Sequence, residues 1–186
     1  MTVSLTTPEM IVNDALARVG YPGRINNIYE GTPHAKKALD IFSQCRDSLL
    51  CKNDWDFSQK IAALVSSGGT APIPWSYEWT YPADCLKIRM LFPSTYVTPY
   101  NNPTPLLYKL GDSAAATKVI WTQVNGVTAV YTAQVTTITQ WDSTFIDLLS
   151  NLIGKKLGPA LQKMEDIKLV DADLKEGLGD AAARPE

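Results

Sequence analysis

The sequence contains little of the residue chemistry on which most enzymes depend. Among its 186 residues there is one histidine, His34, and the three cysteines Cys45, Cys51 and Cys85 form no C-x-x-C pair. G-x-x-x-x-G-K-[ST] and G-x-G-x-x-G are both absent, which excludes two common phosphate-binding loops. No H-E-x-x-H or EF-hand pattern is present either. These absences predict a chain with no metal, no cofactor and no histidine-based catalytic site.

Carboxylate pairs are the catalytic alternative that remains. Asp54 lies two residues before Asp56, and Glu78 lies six residues before Asp84. A glycosidase uses two carboxylates of this kind as acid and base. Neighbouring acidic residues are nevertheless common in globular proteins, and neither pair belongs to a recognisable motif. We therefore predict that the protein is not an enzyme.

Charge and hydropathy indicate an ordinary globular protein. The formal net charge is −2, without the basic surplus typical of a dedicated nucleic-acid-binding protein. The tract FIDLLSNLIGKKLG is interrupted by polar residues and is too short to span a bilayer. MTVSLTTPEM lacks the apolar segment of a secretory signal, and the unpaired cysteines are typical of a reducing cytoplasm. We expect a soluble intracellular protein with no membrane partner.

Helical periodicity occupies both ends of the sequence. The first helix is expected to begin with Thr6 and Glu9, which have the spacing of a capping box. Apolar residues then recur at helical spacing in two segments before the middle of the chain and again after it. The expected helices cover about residues 8–19, 33–53 and, in two parts divided by Gly158-Pro159, 141–178.

The most aromatic segment is WSYEWTYPADCLKIRML, residues 75–91. Aromatic residues occupy every second position at its start: Trp75, Tyr77, Trp79 and Tyr81. Successive side chains of a strand point to opposite faces, so the four rings are expected on one face. Stacking on nucleic acid would favour interleaved Lys or Arg, whereas Ser, Glu and Thr are interleaved here. We interpret the rings first as core packing and second as a protein interface.

Further strands are predicted after this segment, as far as about residue 140. Alternation places the apolar residues of the next strand on one face and its basic residues on the other: Leu86, Ile88 and Met90 against Lys87 and Arg89. A short strand is expected at Tyr108–Leu110. Asn125-Gly126 separates VIWTQV from VTAVYTAQV and favours a type I′ turn, so these two segments are expected to pair as a hairpin.

The order of these elements predicts an α+β fold, in which an antiparallel β sub-domain is inserted into an amphipathic helical bundle. Trp55 and Phe57 directly follow the second helix and are expected to be buried where bundle and insertion join. With the four alternating aromatic residues they form the predicted structural junction. The predicted segments are 1–57 for the N-terminal helices, 58–140 for the β-rich insertion, 141–178 for the C-terminal helices and 179–186 for a flexible tail.

Three blocks of sequence, taken in order, resemble a known family. They are IVNDALARVGYPGRINNIYEGTPHAKKALDIFSQCRDSLLCKNDWDFSQK, WSYEWTYPADCLKIRML and WDSTFIDLLSNLIGKKLG. The first contains a helix ending in Gly, an E-G-T-P link, a long helix and a W-x-F exit. The second is similar to a W-x-Y-x-Y-P-x-D-C-L segment, and the third to a returning helix. The family is the head-to-tail adaptors, or tail tubular protein A, of tailed bacteriophages. The resemblance spans about residues 10–178, but over about 95–130 only the general character of the sequence is similar.

The resemblance implies a structural virion protein at the head–tail junction, assembled in the host bacterial cytoplasm. Such adaptors form a dodecameric ring beneath the portal protein and extend the DNA channel for genome retention and ejection. They also provide a docking surface for the next tail or nozzle protein. DNA is then expected to pass through the lumen without sequence-specific binding, and the aromatic strand to be mostly scaffold.

The tail GLGDAAARPE has no apolar period and is predicted to be mobile. The resemblance implies a portal contact for this tail as a whole, and its candidate contact residues are Leu178, Asp180, Arg184 and Glu186. Two other classes of function remain open: a virion-associated cell-wall glycosidase, and a carbohydrate- or peptide-binding module that uses the aromatic strand. Release of sugar from peptidoglycan would favour the enzyme, and binding to a portal ring without such release would favour the adaptor.

Overall fold

The computed structural model describes residues 6–31, 33–95 and 104–158, which divide into two compact units. The helical unit contains the residues up to Asn53 and those from Val135 onward, and the β unit is Asp54–Gln134. The described residues form three α-helices and two three-stranded antiparallel sheets, which confirms the α+β class. The helix predicted beyond Gly158-Pro159 and the predicted tail lie outside the described residues.

The helices and strands are numbered in chain order. The helices are α1 (Pro8–Arg18), α2 (Pro33–Lys52) and α3 (Ser143–Leu157). The strands are β1 (Gln59–Ala63), β2 (Tyr77–Thr80), β3 (Cys85–Pro93), β4 (Tyr108–Asp112), β5 (Lys118–Thr122) and β6 (Val127–Ala133). Helix α1, helix α2 and the returning helix α3 begin and end close to the predicted positions, and β4 confirms the predicted short strand.

Helix α1 begins differently from the predicted capping box. Its N-cap is Thr7 rather than Thr6, and the Thr7 hydroxyl accepts a hydrogen bond from the Met10 N–H at 3.4 Å. The Glu9 carboxylate accepts the backbone N–H of Ile28 at 3.2 Å, and so holds the loop that follows α1.

In the helical unit, α3 packs against both α1 and α2. Phe145, Leu149 and Ile153 on α3 are fully buried, and the Trp141 ring lies 6.2 Å from that of Phe42 in α2. Burial of apolar side chains is the main driving force for such packing, at about 25 cal/mol per Å². A polar contact fixes the register, because Arg18 of α1 donates to Asn151 Oδ1 of α3 at 2.8 Å.

Gly154 of α3 lies close to the backbone of α1. A Cβ atom there would lie 3.1 Å from the carbonyl oxygen of Ala15 and 3.2 Å from Cγ1 of Val19. Gly154→Leu is expected to lower the free energy of unfolding by about 1–3 kcal/mol, because the larger side chain forces the helices apart. Urea unfolding followed by helical circular dichroism measures this. The control is Ser143→Leu at the exposed start of α3, and an equal loss in both variants would contradict the proposed close packing.

The β unit is built from two sheets with strand orders β1-β6-β3 and β2-β5-β4. Side chains from both sheets form one hydrophobic core. The buried members of this core are Leu64, Trp79, Cys85, Ile88, Leu91, Ile120, Val127, Ala129, Tyr131 and Ala133.

The predicted hairpin at Asn125-Gly126 is wrong in its pairing. The chain does turn there, with Gly126 at a positive φ of 69°. However, β5 pairs with β2 and β4, whereas β6 pairs with β1 and β3. Each strand is central in its own sheet, so neither has an edge free to pair with the other. The turn therefore carries the chain from one sheet to the other.

The predicted alternation along β3 is also wrong. The register of β3 against β6 shifts twice, between Cys85 and Lys87 and between Ile88 and Met90. Cys85, Ile88 and Leu91 are consequently buried at a spacing of three, Phe92 is buried directly after Leu91, and Leu86 and Met90 are half-buried. β-bulges insert an extra residue and redirect the side chains that follow.

Candidate functional site

The aromatic strand does not bury its four rings as one stripe. β2 contains only Tyr77 and Trp79 of the four, and Trp79 is 6% exposed whereas Tyr77 is 38% exposed. Trp75 and Tyr81 lie outside the strand and are half-buried. Glu78, interleaved between Tyr77 and Trp79, is itself only 6% exposed. The strand is therefore covered on both faces.

Glu78 is covered by the loop before β2 and is also contacted by Trp121 of β5. Oε1 of Glu78 accepts the Ser67 hydroxyl at 2.7 Å, and Oε2 accepts Nε1–H of Trp121 at 3.0 Å. Ser67 Oγ in turn accepts the Gly69 N–H at 3.1 Å. A Cβ at Gly69 would lie 2.2 Å from Oε1, so glycine is needed for the loop to approach the carboxylate.

A cavity of about 390 Å³ lies beside this carboxylate, and we call it the Glu78 cleft. The loop Ser67–Thr70 lines it from one side and the turn Ser113–Ala115 from another. Thr80, Thr117 and Val119 complete the lining together with Glu78. The cleft therefore combines one buried carboxylate with several hydroxyl-bearing residues.

Arg89 is the second buried charged side chain of the β unit, with a side chain 8% exposed. Its guanidinium donates to Thr132 Oγ1 at 2.9 Å, to Gln59 Oε1 at 3.0 Å, and to the carbonyl oxygen of Trp55 at 2.7 Å and Ser58 Oγ at 3.1 Å. These contacts connect β3 with β6, with β1 and with the turn before β1. Arg89 therefore has a structural role rather than the surface position expected from alternation.

A third polar cluster is centred on Asp84. Its carboxylate accepts from Lys60 Nζ at 2.5 Å and from the Tyr131 hydroxyl at 3.0 Å. The hydrogen bond from Lys60 holds the pKa of Asp84 below its usual range. Burial, together with the Asp84 carboxylate, raises the pKa of Tyr131 to about 12. The cluster joins the start of β3 to β1 and β6.

The Asp84 cluster predicts a pH-dependent contribution to stability. Because the folded-state pKa of Asp84 lies below the unfolded value of about 3.9, the stabilisation is present at neutral pH and is lost as the pH falls through the folded-state pKa. Asp84→Asn should be less stable than the wild type at pH 7, and the gap should shrink at pH 3. Solvent exposure of both charged partners limits the gap to less than about 1 kcal/mol.

Urea titrations of both proteins at the two pH values measure this gap, with the exposed Asp56→Asn as the control. A gap between the wild type and Asp84→Asn that does not change between pH 7 and pH 3 would contradict the assignment.

The structure gives the members of each predicted carboxylate pair different surroundings. Glu78 is bound by Ser67 and Trp121, whereas Asp84 is bound by Lys60 and Tyr131. Asp54 Oδ1 pairs with Lys87 at 2.9 Å and lies 3.5 Å from Nε of Arg89, and Asp56 is exposed. Among the described residues, no group of three or more His, Cys, Asp and Glu side chains is suited to hold a metal ion.

The predicted junction residues Trp55 and Phe57 lie at the start of the β unit, just after Asn53. Trp55 is 4% exposed, Phe57 is half-buried, and their ring centroids are 5.9 Å apart. Burial of Trp55 is thus observed, while its role in joining the units stays a prediction. The candidate portal contacts lie outside the described residues: Leu178, Asp180, Arg184 and Glu186.

Sequence reasoning missed the partners of Arg89 and Glu78. Trp121 and Glu78 are 43 residues apart in the chain and meet only through the pairing of β2 with β5. The run SSGG (66–69) was a usable signal, because adjacent glycines permit a close backbone approach. Within the described ranges, no helix is both long and apolar enough to cross a membrane.

Comparison of the sequence with known proteins identified no similar family or curated protein. No protein-family model matches the chain, and no curated protein matches it at a significant level.

Proposed function

We propose that this protein is a head-to-tail adaptor of a tailed bacteriophage, a structural virion protein that forms a ring of twelve copies between portal and tail. The observation that carries the proposal is the chain order of the two units. Segments on both sides of the β unit contribute to one helical unit, and residues 54–134 are inserted between them. The same order is implied by the three sequence blocks that resemble the adaptor family. The helices are proposed to form a bundle.

Exposed apolar side chains on the β unit support a role in protein contacts. Val65 is 72% exposed, Leu107 is 85% exposed and Ile73 is 98% exposed. A ring closes when one surface of each copy binds a different surface of the next. Exposed apolar residues of this kind supply contact area for such surfaces. The proposed partners are further copies of the chain, the portal protein and the next tail or nozzle protein.

The charge of the chain supports a channel role rather than DNA recognition. With a formal net charge of −2, the protein lacks the basic surplus that grips phosphates. A weakly acidic lumen repels the DNA backbone and allows it to slide. The proposed location is the head–tail junction of the virion.

Portal attachment tests the proposal directly. Purified protein is mixed with portal rings encoded in the same genome, and complexes are imaged by electron microscopy. The expected result is a ring of twelve copies on the portal and largely monomeric protein in its absence. Failure to bind any portal ring, with reproducible release of sugar from peptidoglycan, would favour the glycosidase instead. That activity would have to be lost in Asp54→Asn or Glu78→Gln.

Deletion of residues 178–186 gives a second test. It should leave the circular dichroism spectrum and unfolding midpoint unchanged while weakening attachment to the portal. Once some of the twelve tails are bound, the others are held near the portal at a high effective concentration. Deleting all twelve tails therefore has a large combined effect on attachment. Full ring occupancy by the shortened protein would show that this segment does not contribute to attachment.

A further inference from the structure

The Glu78 cleft places a buried carboxylate next to open volume. Each Glu78 oxygen accepts one hydrogen bond, from Ser67 and from Trp121. A carboxylate offers about four acceptor positions, so roughly two remain. The adjoining cavity, of about 390 Å³, is large enough for a small ligand to lie beside the Glu78 carboxylate.

Glu78 combines burial, at 6% exposed, with the lack of a cationic partner in the described part of the chain. Asp14, Asp47, Asp54, Asp84 and Asp147 each form an ion pair with Lys or Arg. Among the described residues, no Lys or Arg nitrogen lies within 4.0 Å of the Glu78 carboxylate. Burial of a carboxylate without a counter-charge costs free energy. A cationic ligand would remove that cost.

The lining of the cleft selects among ligand classes. Thr80 and Thr117 bring hydroxyl oxygens that can accept further hydrogen bonds, whereas Ser113 Oγ already accepts the N–H groups of Ala115 and Thr117 and lies 2.7 Å from Thr117 Oγ1. Val119 and Ala114 add apolar surface. Among the described residues, no aromatic ring belongs to the lining, which disfavours a stacked sugar. A single carboxylate is too few for a tightly held metal ion. An ammonium group has three donors and one positive charge, and its alkyl stem suits the apolar wall.

We propose that the Glu78 cleft binds an alkylammonium group, supplied by a free amine or by a lysine side chain. The ammonium donates to a Glu78 oxygen and to hydroxyl oxygens of the cleft, while the stem lies against Val119. This inference is independent of the proposed adaptor function, since it rests only on the β unit.

Titration of the full chain with n-butylammonium chloride, at constant ionic strength and observed by NMR, tests the inference. Two matched probes separate its components: tetramethylammonium carries the charge without N–H donors, and n-butanol has the alkyl chain without the charge. Only n-butylammonium should give saturable shifts at the amides of Gly68, Gly69 and Ala115. An equal response to tetramethylammonium, or no saturable response, would overturn the assignment, as would saturable binding of n-butanol.

Glu78→Gln should weaken n-butylammonium binding about tenfold or more, because a charge-assisted hydrogen bond is lost. A carboxamide has one acceptor oxygen where the carboxylate has two, so this variant also disturbs the contact with Ser67 or Trp121. Thr80→Val therefore serves as a second variant that leaves the carboxylate intact, with an expected loss of at least threefold. Asp112→Asn, which removes an exposed carboxylate at the end of β4, should leave binding unchanged. Equal weakening by Asp112→Asn would reveal only general attraction to an acidic surface.

The source of the ammonium is found by sedimentation of the protein with and without saturating n-butylammonium. At protein concentrations high enough for copies to associate, loss of self-association would identify a lysine of a second copy as the occupant, and unchanged sedimentation would exclude that source. Binding to the site itself is decided by the NMR titration.

Discussion

Arg89→Met should lower the free energy of unfolding of the β unit by about 3 kcal/mol. The side chain is 8% exposed, and its guanidinium donates hydrogen bonds to four oxygen atoms. Methionine fills similar volume but donates none of them. A lost charge-assisted bond costs about 1.5–3 kcal/mol when its partner is left buried, and Thr132 and Ser58 are both buried. The bonds share one donor group, so their effects do not add in full.

Lys87→Met provides the matched control, since Lys87 lies in the same strand and also binds Asp54. Both members of that pair are 40% or more exposed, so its loss should cost less than about 1 kcal/mol. Urea unfolding followed by tryptophan fluorescence measures both variants, because four of the five tryptophans lie in the β unit. Equal midpoints for the two variants would show that Arg89 is a surface charge in solution.

The importance of Arg89 shows what single-sequence periodicity can and cannot predict. Helices α1, α2 and α3 were predictable because their apolar residues recur at a fixed local period, which tertiary contacts do not alter. The face on which Arg89 lies depends on two register shifts in β3. A bulge depends on the partner strand as well as on the local sequence, so alternation alone could not predict which residues of β3 are buried.

The Glu78 cleft was unpredictable for a related reason. Glu78, Ser67 and Trp121 come from β2, the loop before it and β5, and their meeting requires the order β2-β5-β4. The Asn125-Gly126 turn favoured a different pairing, of β5 with β6. Local turn chemistry was correct about the turn and uninformative about the sheet to which each strand belongs. Strand pairing is a long-range property, set by which apolar faces can share a core.

Trp55→Ala should cost about 3–5 kcal/mol, the largest effect expected of a single substitution here. The indole is 4% exposed and lies 5.9 Å from the ring of Phe57. Truncation leaves a cavity that the surrounding residues fill only in part. The turn that follows also places the Trp55 carbonyl to accept from Arg89 and from the Ser58 hydroxyl, at 2.7 Å and 2.9 Å. Loss of the indole should therefore loosen the contact with Arg89.

A double-mutant cycle separates the cavity from this coupling. If the indole holds the carbonyl in place for Arg89, Trp55→Ala combined with Arg89→Met should cost less than the sum of the two single variants. Trp55→Phe retains most of the packing and should lose much less stability than Trp55→Ala. Tyr77→Ala, at a ring 38% exposed, is the control for removing an aromatic group from the same unit. An unchanged midpoint for Trp55→Ala would show an exposed indole, and strict additivity in the cycle would show that packing at Trp55 and the Arg89 contacts are independent.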